Sequence, residues 1–137
     1  MSRKLDAAVW RALGYEVYES KEEWLKAGMP YIQYWSSVVE YPAYWYPAHE
    51  SNLVVPELSS NPVAMLELDK EMQVRGFACL VKRYVPAEML FSDPLVNARY
   101  YKAGDKMDGQ GSWGDTEPFA RALAAYKALT GKEWVEP

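Results

Sequence analysis

The chain is poor in the residues that most often carry chemistry. Its 137 residues hold one cysteine, Cys79, and one histidine, His49. A lone cysteine closes no internal disulfide and gives no sign of a secreted, disulfide-stapled scaffold. One His and one Cys cannot supply the nitrogen and sulfur ligands of a zinc site. Basic residues are outnumbered, 15 Lys and Arg against 19 Asp and Glu, for a net charge of −4. That excludes general binding along a nucleic-acid polymer, which needs a basic stripe, but leaves room for a local basic pocket around one small phosphate ligand. Long apolar runs are missing as well. The longest uncharged stretch, about 28–39, is short, polar and proline-containing, unlike a membrane span. The opening MSRKLD has no apolar signal region behind it. Neither a Walker pattern nor a GxGxxG loop is present to cradle phosphates. The expectation is one soluble cytoplasmic domain with no cofactor and no membrane association.

Trp and Tyr, by contrast, are abundant: 6 Trp and 11 Tyr against 3 Phe. Both join a large apolar body to a polar handle and suit half-buried positions and binding faces. The stretch EYPAYWYPAHE, residues 40–50, sets Tyr44, Trp45 and Tyr46 between Pro42 and Pro47. It reads either as a plug of core or as a surface that holds a flat ligand or a partner.

Helix signals are clear at four places. In RKLDAAVWRALGY, Leu5, Ala8, Val9, Ala12 and Leu13 form one apolar stripe, Trp10 lies off it, and Gly14 stands where a cap belongs. SKEEWLKAG starts with Ser20 and Glu23 at capping-box spacing. Asn61 and Pro62 open a helix whose buried side is marked by Met65, Leu68 and Met72. The last helix is capped by Asp115 or Thr116 and ended by Gly131; Phe119, Leu123 and Tyr126 share a face, with alanines on its flanks. Helices are thus predicted near 4–13, 62–75 and 117–129, with a short one between the first two. FACLVKRYV and ARYYK read as strands, and SWG as the stub of a third. Residues 19–58 read as an irregular, aromatic-rich elaboration in which YIQYWSSVVEY could hold a strand, while prolines exclude a long central one. The order predicts an α+β fold over 1–137, helices packed on a small, mainly antiparallel sheet.

Three segments resemble the phage ABA sandwich domain, a small phage and prophage family. They are RKLDAAV running to Gly14-Tyr15, VPELSSNPVAMLELDKEMQVRGF, and GDTEPFARALAAYKAL, together about half of the chain. The chain departs from the family pattern at Leu58, where an aromatic is usual, and at Asn61, where an acid is common. The resemblance implies an α-β-α sandwich of viral origin, acting inside an infected bacterial cell. It implies no activity, and fold alone licenses none.

Catalytic signatures are thin. Asp105, Asp108 and Asp115 resemble a calcium loop only loosely and lack its terminal glutamate. Cys79 falls mid-strand, where cysteine usually acts as a small hydrophobe. His49-Glu50-Ser51 invites a triad without a nucleophile elbow or an oxyanion loop. Aromatic and basic side chains remain: Lys82, Arg83 and Tyr84 on one strand, Arg99, Tyr100, Tyr101 and Lys102 on the next. The candidate ligand site is Tyr44, Trp45, Tyr46, His49, Arg83, Arg99 and Tyr101, with rings to stack on a base and guanidinium groups to meet phosphate. The expected function is a non-catalytic phage protein that sequesters a small nucleotide, such as a host immune signal, or inhibits a host protein. The alternatives are a small nucleotide-directed enzyme, or an accessory or virion protein whose aromatics build a homo-oligomer.

Overall fold

A computed structural model describes residues 2–29, 40–49, 51–84, 95–105 and 111–137. Its helices begin and end where local chemistry dictates. The Ser2 hydroxyl accepts from the Leu5 N–H and opens α1 (Arg3–Ala12). Ser20 caps α2 (Lys21–Lys26) through the Glu23 N–H. The Glu23 carboxylate accepts from the Glu19 N–H, one residue upstream of the usual capping-box donor. Asn61 and Pro62 start α3 (Pro62–Val74), and Thr116 starts α4 (Glu117–Thr130). Gly131, at φ 73°, closes α4 in the left-handed conformation that glycine adopts at least cost.

Six strands form two antiparallel sheets. The first orders β1 (Val17–Tyr18), β2 (Ala43–Tyr46) and β3 (Ser51–Val54); the second orders β4 (Phe77–Tyr84), β5 (Leu95–Lys102) and β6 (Ser112–Gly114). The fold is α+β with helices packed on antiparallel sheet, as predicted, and the strands divide into two sheets where one was expected. The stretch 19–58 carries more regular structure than its prolines suggest. Pro42 and Pro47 do not abolish a strand; they bound a four-residue one, and a 3-10 turn at Pro47–His49 leads into β3. The strand expected in YIQYWSSVVEY falls almost wholly on 31–39, outside the described residues.

The core lies between α1, α3, α4 and the inner face of the second sheet. The buried faces differ in detail from the stripes read in the sequence. In α1, Asp6 and Trp10 are buried alongside Leu5, Val9 and Leu13, while Ala8 and Ala12 are half-exposed. Three contacts rotate the helix this way. Asp6 accepts from Arg3 (2.7 Å) and from the Ser59 N–H (2.8 Å), and Trp10 stacks on Tyr15 at 4.7 Å. Arg3 also donates to the Val55 and Pro56 carbonyls, and Ser2 and Ser59 exchange two hydrogen bonds. Two of the sequence segments that carry the family resemblance are therefore latched together. In α4, the alanines are not flanks but the deepest face: Ala120, Ala122 and Ala125 are fully buried, with Phe119, Leu123 and Tyr126 half-buried around them. Methyl-sized side chains let α4 lie close on β5 and β6, and Gly114 meets it at Ala120.

Candidate functional site

Strand register decides which of the candidate residues can act together. Successive side chains on a strand point to opposite faces, so cross-strand partners share a face. In the second sheet, Arg83 pairs with Val96, Val81 with Ala98 and Cys79 with Tyr100. Val96, Ala98 and Tyr100 are buried under the helices, so this is the inner face. The intervening pairs, Ala78 with Tyr101, Leu80 with Arg99 and Lys82 with Asn97, occupy the outer face. Asn97 also pairs with Trp113 of β6, which places Trp113 there too. Arg83 and Arg99, grouped by their aromatic neighbours in the sequence, thus lie on opposite sides of one sheet.

Among the described residues, helices pack on the inner face only. The outer face keeps Trp113 52% exposed, Leu80 and Lys82 exposed, and Asn97, Arg99 and Tyr101 half-buried. It carries Trp113 and Tyr101 with Arg99 and Lys82, and among its described residues no acid. In a chain of net charge −4 that is a local reversal of sign. The sequence reading missed Trp113, because SWG alone does not reveal its strand's register. The signal was there in the alternation of Ser112, Trp113 and Gly114, of which only Trp113 is exposed. A recess of about 190 Å³ opens where α4 meets the β5–β6 edge, lined by Ala98, Arg99, Tyr100, Ser112, Ala124 and Lys127.

The inner face holds a polar clasp. The Tyr100 hydroxyl donates to Asp69 on α3, and Arg121 on α4 donates to the same carboxylate. Arg121 also donates to Glu117 (2.8 and 3.1 Å), which accepts from Arg83 as well. Burial works against the Glu117 carboxylate, but Arg121 and Arg83 beside it prevail and hold its pKa below the ordinary value. Burial pushes the Tyr100 phenol up, and its hydrogen bond to Asp69 pushes it further. Burial likewise pushes the Cys79 thiol up, against the pull of Arg121. A neutral thiol is a poor nucleophile. A recess of about 310 Å³ is lined here by Asp69, Gln73, Cys79, Tyr100 and Arg121. Each charged group lining it is already engaged by another, so the cluster's evident role is to tie α3 and α4 to the sheet. Arg83 belongs to this clasp.

The aromatic run lies on the first sheet, where its three rings alternate faces. Tyr44 meets Trp10 at 5.5 Å and Tyr15 at 5.2 Å, against the core. Trp45, on the other face, packs at 6.0 Å from Trp24, which is buried and sits edge-on to Tyr18 at 5.0 Å. Tyr46 is half-buried on the face of Tyr44. Tyr15 donates to Glu71 (2.6 Å), and Arg75 donates to both Glu71 and the Leu13 carbonyl. These contacts make the run an internal packing layer around which α1, α2 and α3 are set. The structure does not bring Tyr44 and Trp45 onto one wall, nor Arg83 and Arg99 onto one face. Of the candidate ligand residues it brings Tyr44 and Tyr46 onto one face of the first sheet, and Arg99 and Tyr101 onto the outer face of the second, where Trp113 and Lys82 join them. His49 ends the 3-10 turn, away from both strands of that pair in sequence and sheet.

Among the described residues no three His, Cys, Asp or Glu side chains gather as metal ligands, and no helix is long and apolar enough to cross a membrane. Asp108 of the loosely calcium-like loop lies outside the described residues. Comparison with known proteins returned no match to this chain among family models, curated proteins or solved structures.

Proposed function

We propose that this chain is a non-catalytic binding protein that holds a small nucleotide on the outer face of β4–β5–β6. The observation that carries the reading is the company Trp113 keeps: with Tyr101, Arg99 and Lys82 it shares one face. Every nucleobase has a π-face that stacks on an aromatic ring, and guanidinium forks engage phosphate oxygens in pairs. An acidic chain with one local basic face repels long polyanions at a distance yet retains a small one on contact. The resemblance to a phage domain fits a protein that sequesters a nucleotide in the cytoplasm of an infected bacterium. Calorimetry against a nucleotide panel tests it. The expected result is binding that Trp113→Ala weakens at least tenfold, with the nucleotide recovered intact after the protein is heat-denatured. Recovery of a converted product would establish an enzyme instead, and no binding by any nucleotide would remove the reading.

A second reading has its own observation. Leu53 and Val54 are exposed on β3, the last strand of the first sheet. Exposed apolar residues on such a strand favour pairing with another chain. This supports a homo-oligomer or a host-protein partner, and light scattering on Leu53→Lys beside the parent separates it from the nucleotide reading.

A further inference from the structure

The spacing of groups on the outer face specifies the ligand more closely, on the premise that the face binds nucleotides. Along β5 the outward positions run Asn97, Arg99, Tyr101, and Trp113 sits beside Asn97 on the neighbouring strand. Two residues advance a strand by about 7 Å and neighbouring strands lie about 5 Å apart, so Arg99 stands roughly 7 Å from Tyr101 and roughly 8 Å diagonally from Trp113 at the backbone. The two rings are then separated by about 14 Å at the backbone. No single base spans that distance. The cation lies between the rings, not outside them, and Leu80, its cross-strand partner, gives the centre an apolar floor.

We propose that the ligand is a dinucleotide, with one base on Trp113, the other on Tyr101, and the bridging phosphate at Arg99. Lys82, beyond Asn97 on the adjoining strand, provides a second cation for a terminal phosphate. A mononucleotide would leave one ring uncovered. The acidic chain around the face opposes the further phosphates of a longer strand. Two tethered bases also gain over one, because the second base binds at the high effective concentration set by the first.

Calorimetry with AMP, a diadenylate and a short oligoadenylate decides it. Diadenylate should bind the parent about tenfold to a hundredfold more tightly than AMP, the range expected of one added stacked base. Trp113→Ala and Tyr101→Ala should each bring diadenylate down to the affinity of AMP. Arg99→Gln should weaken both ligands and flatten the salt dependence of binding. All three variants should keep the parent's circular dichroism, and Lys82→Gln, at an exposed position, gives an independent test of the charge. Equal affinities for AMP and diadenylate, with only one ring mattering, would overturn the two-base site while leaving nucleotide binding in place. An oligoadenylate that binds more tightly than diadenylate beyond its greater number of registers would overturn it in favour of a strand. Failure of all three ligands would overturn the two-base site, and nucleotide binding with it if the wider panel also fails.

Discussion

The hydroxyl of Tyr100, in the middle of the second sheet, donates to the Asp69 carboxylate on the helix above it. Arg121 reaches the same carboxylate from the other covering helix. One acid thus ties a strand and two helices together. Asp69→Ala would leave the buried Tyr100 hydroxyl and the Arg121 guanidinium short of a partner. The expected cost is about 2–4 kcal/mol, the range for stranding a buried donor and breaking a shielded ion pair. Tyr100→Phe removes the hydroxyl but leaves Asp69 with Arg121, so about 1 kcal/mol is expected. Urea unfolding of both variants checks the order; equal, small costs would mean the clasp is ornamental.

Arg83 provides a test of face assignment. Its side chain is 64% exposed and pairs with Glu117 on the inner face. Exposed ion pairs contribute about 0–1 kcal/mol. Arg83→Gln should therefore change stability by less than about 1 kcal/mol and leave ligand affinity unaltered, whereas Arg99→Gln should lower it. An Arg83→Gln variant that loses ligand as Arg99→Gln does would mean that the two faces communicate.

Close approach of α4 to β6 gives a steric prediction. A Cβ on Gly114 would stand 2.8 Å from the backbone nitrogen of Ala120 and 3.0 Å from a Phe119 ring carbon. The nearest atom is main chain at the start of a helix and cannot rotate aside. Gly114→Ala should cost about 1–3 kcal/mol as an overpacking change, measured by thermal unfolding. Leu123→Ala, on the half-buried side of the same helix, should cost about 2 kcal/mol, the low end for a leucine truncation. A neutral Gly114→Ala would show that α4 sits farther from β6.

Helix ends were legible in the sequence because their causes are local. Asn61-Pro62, Thr116 and Gly131 each act within one turn of the chain. FACLVKRY and the ARYYK part of the next strand were legible from composition. Which face each side chain takes was not. A shift of one residue in register sends every side chain to the other face, and only the Leu80–Arg99 pairing sets Arg83 and Arg99 on opposite sides of the sheet. The run Ala43–Tyr46 read as irregular because the residues that make it a strand, Val17 and Leu53, come from elsewhere in the chain. The burial of Asp6 was not legible, because its partner, the Ser59 N–H, lies 53 residues away. Of the candidate site, Arg99 and Tyr101 could be found from sequence; Trp113 needed the register of a three-residue strand.

Buried phenols predict how stability responds to alkali. Tyr100, Tyr15 and Tyr44 all have pKa values raised above the ordinary 10.0, burial being the largest cause in each. Asp69 adds to the effect at Tyr100, and Glu71 at Tyr15. Below about pH 10 these phenols are protonated in both folded and unfolded chains, so their contribution to stability is constant and fully present. As pH rises past about 10, the unfolded chain sheds its phenolic protons first. The folded state then binds more protons than the unfolded one, and stability falls with rising pH until the folded-state values are reached. The expected outcome, followed by phenolate absorbance, is that these three phenols ionise only as circular dichroism is lost. Tyr100→Phe should make the fall in stability above that pH less steep, since one proton-linked group is gone from the difference. Reversible ionisation of all 11 tyrosines in one step with the fold intact would contradict the burial of these three.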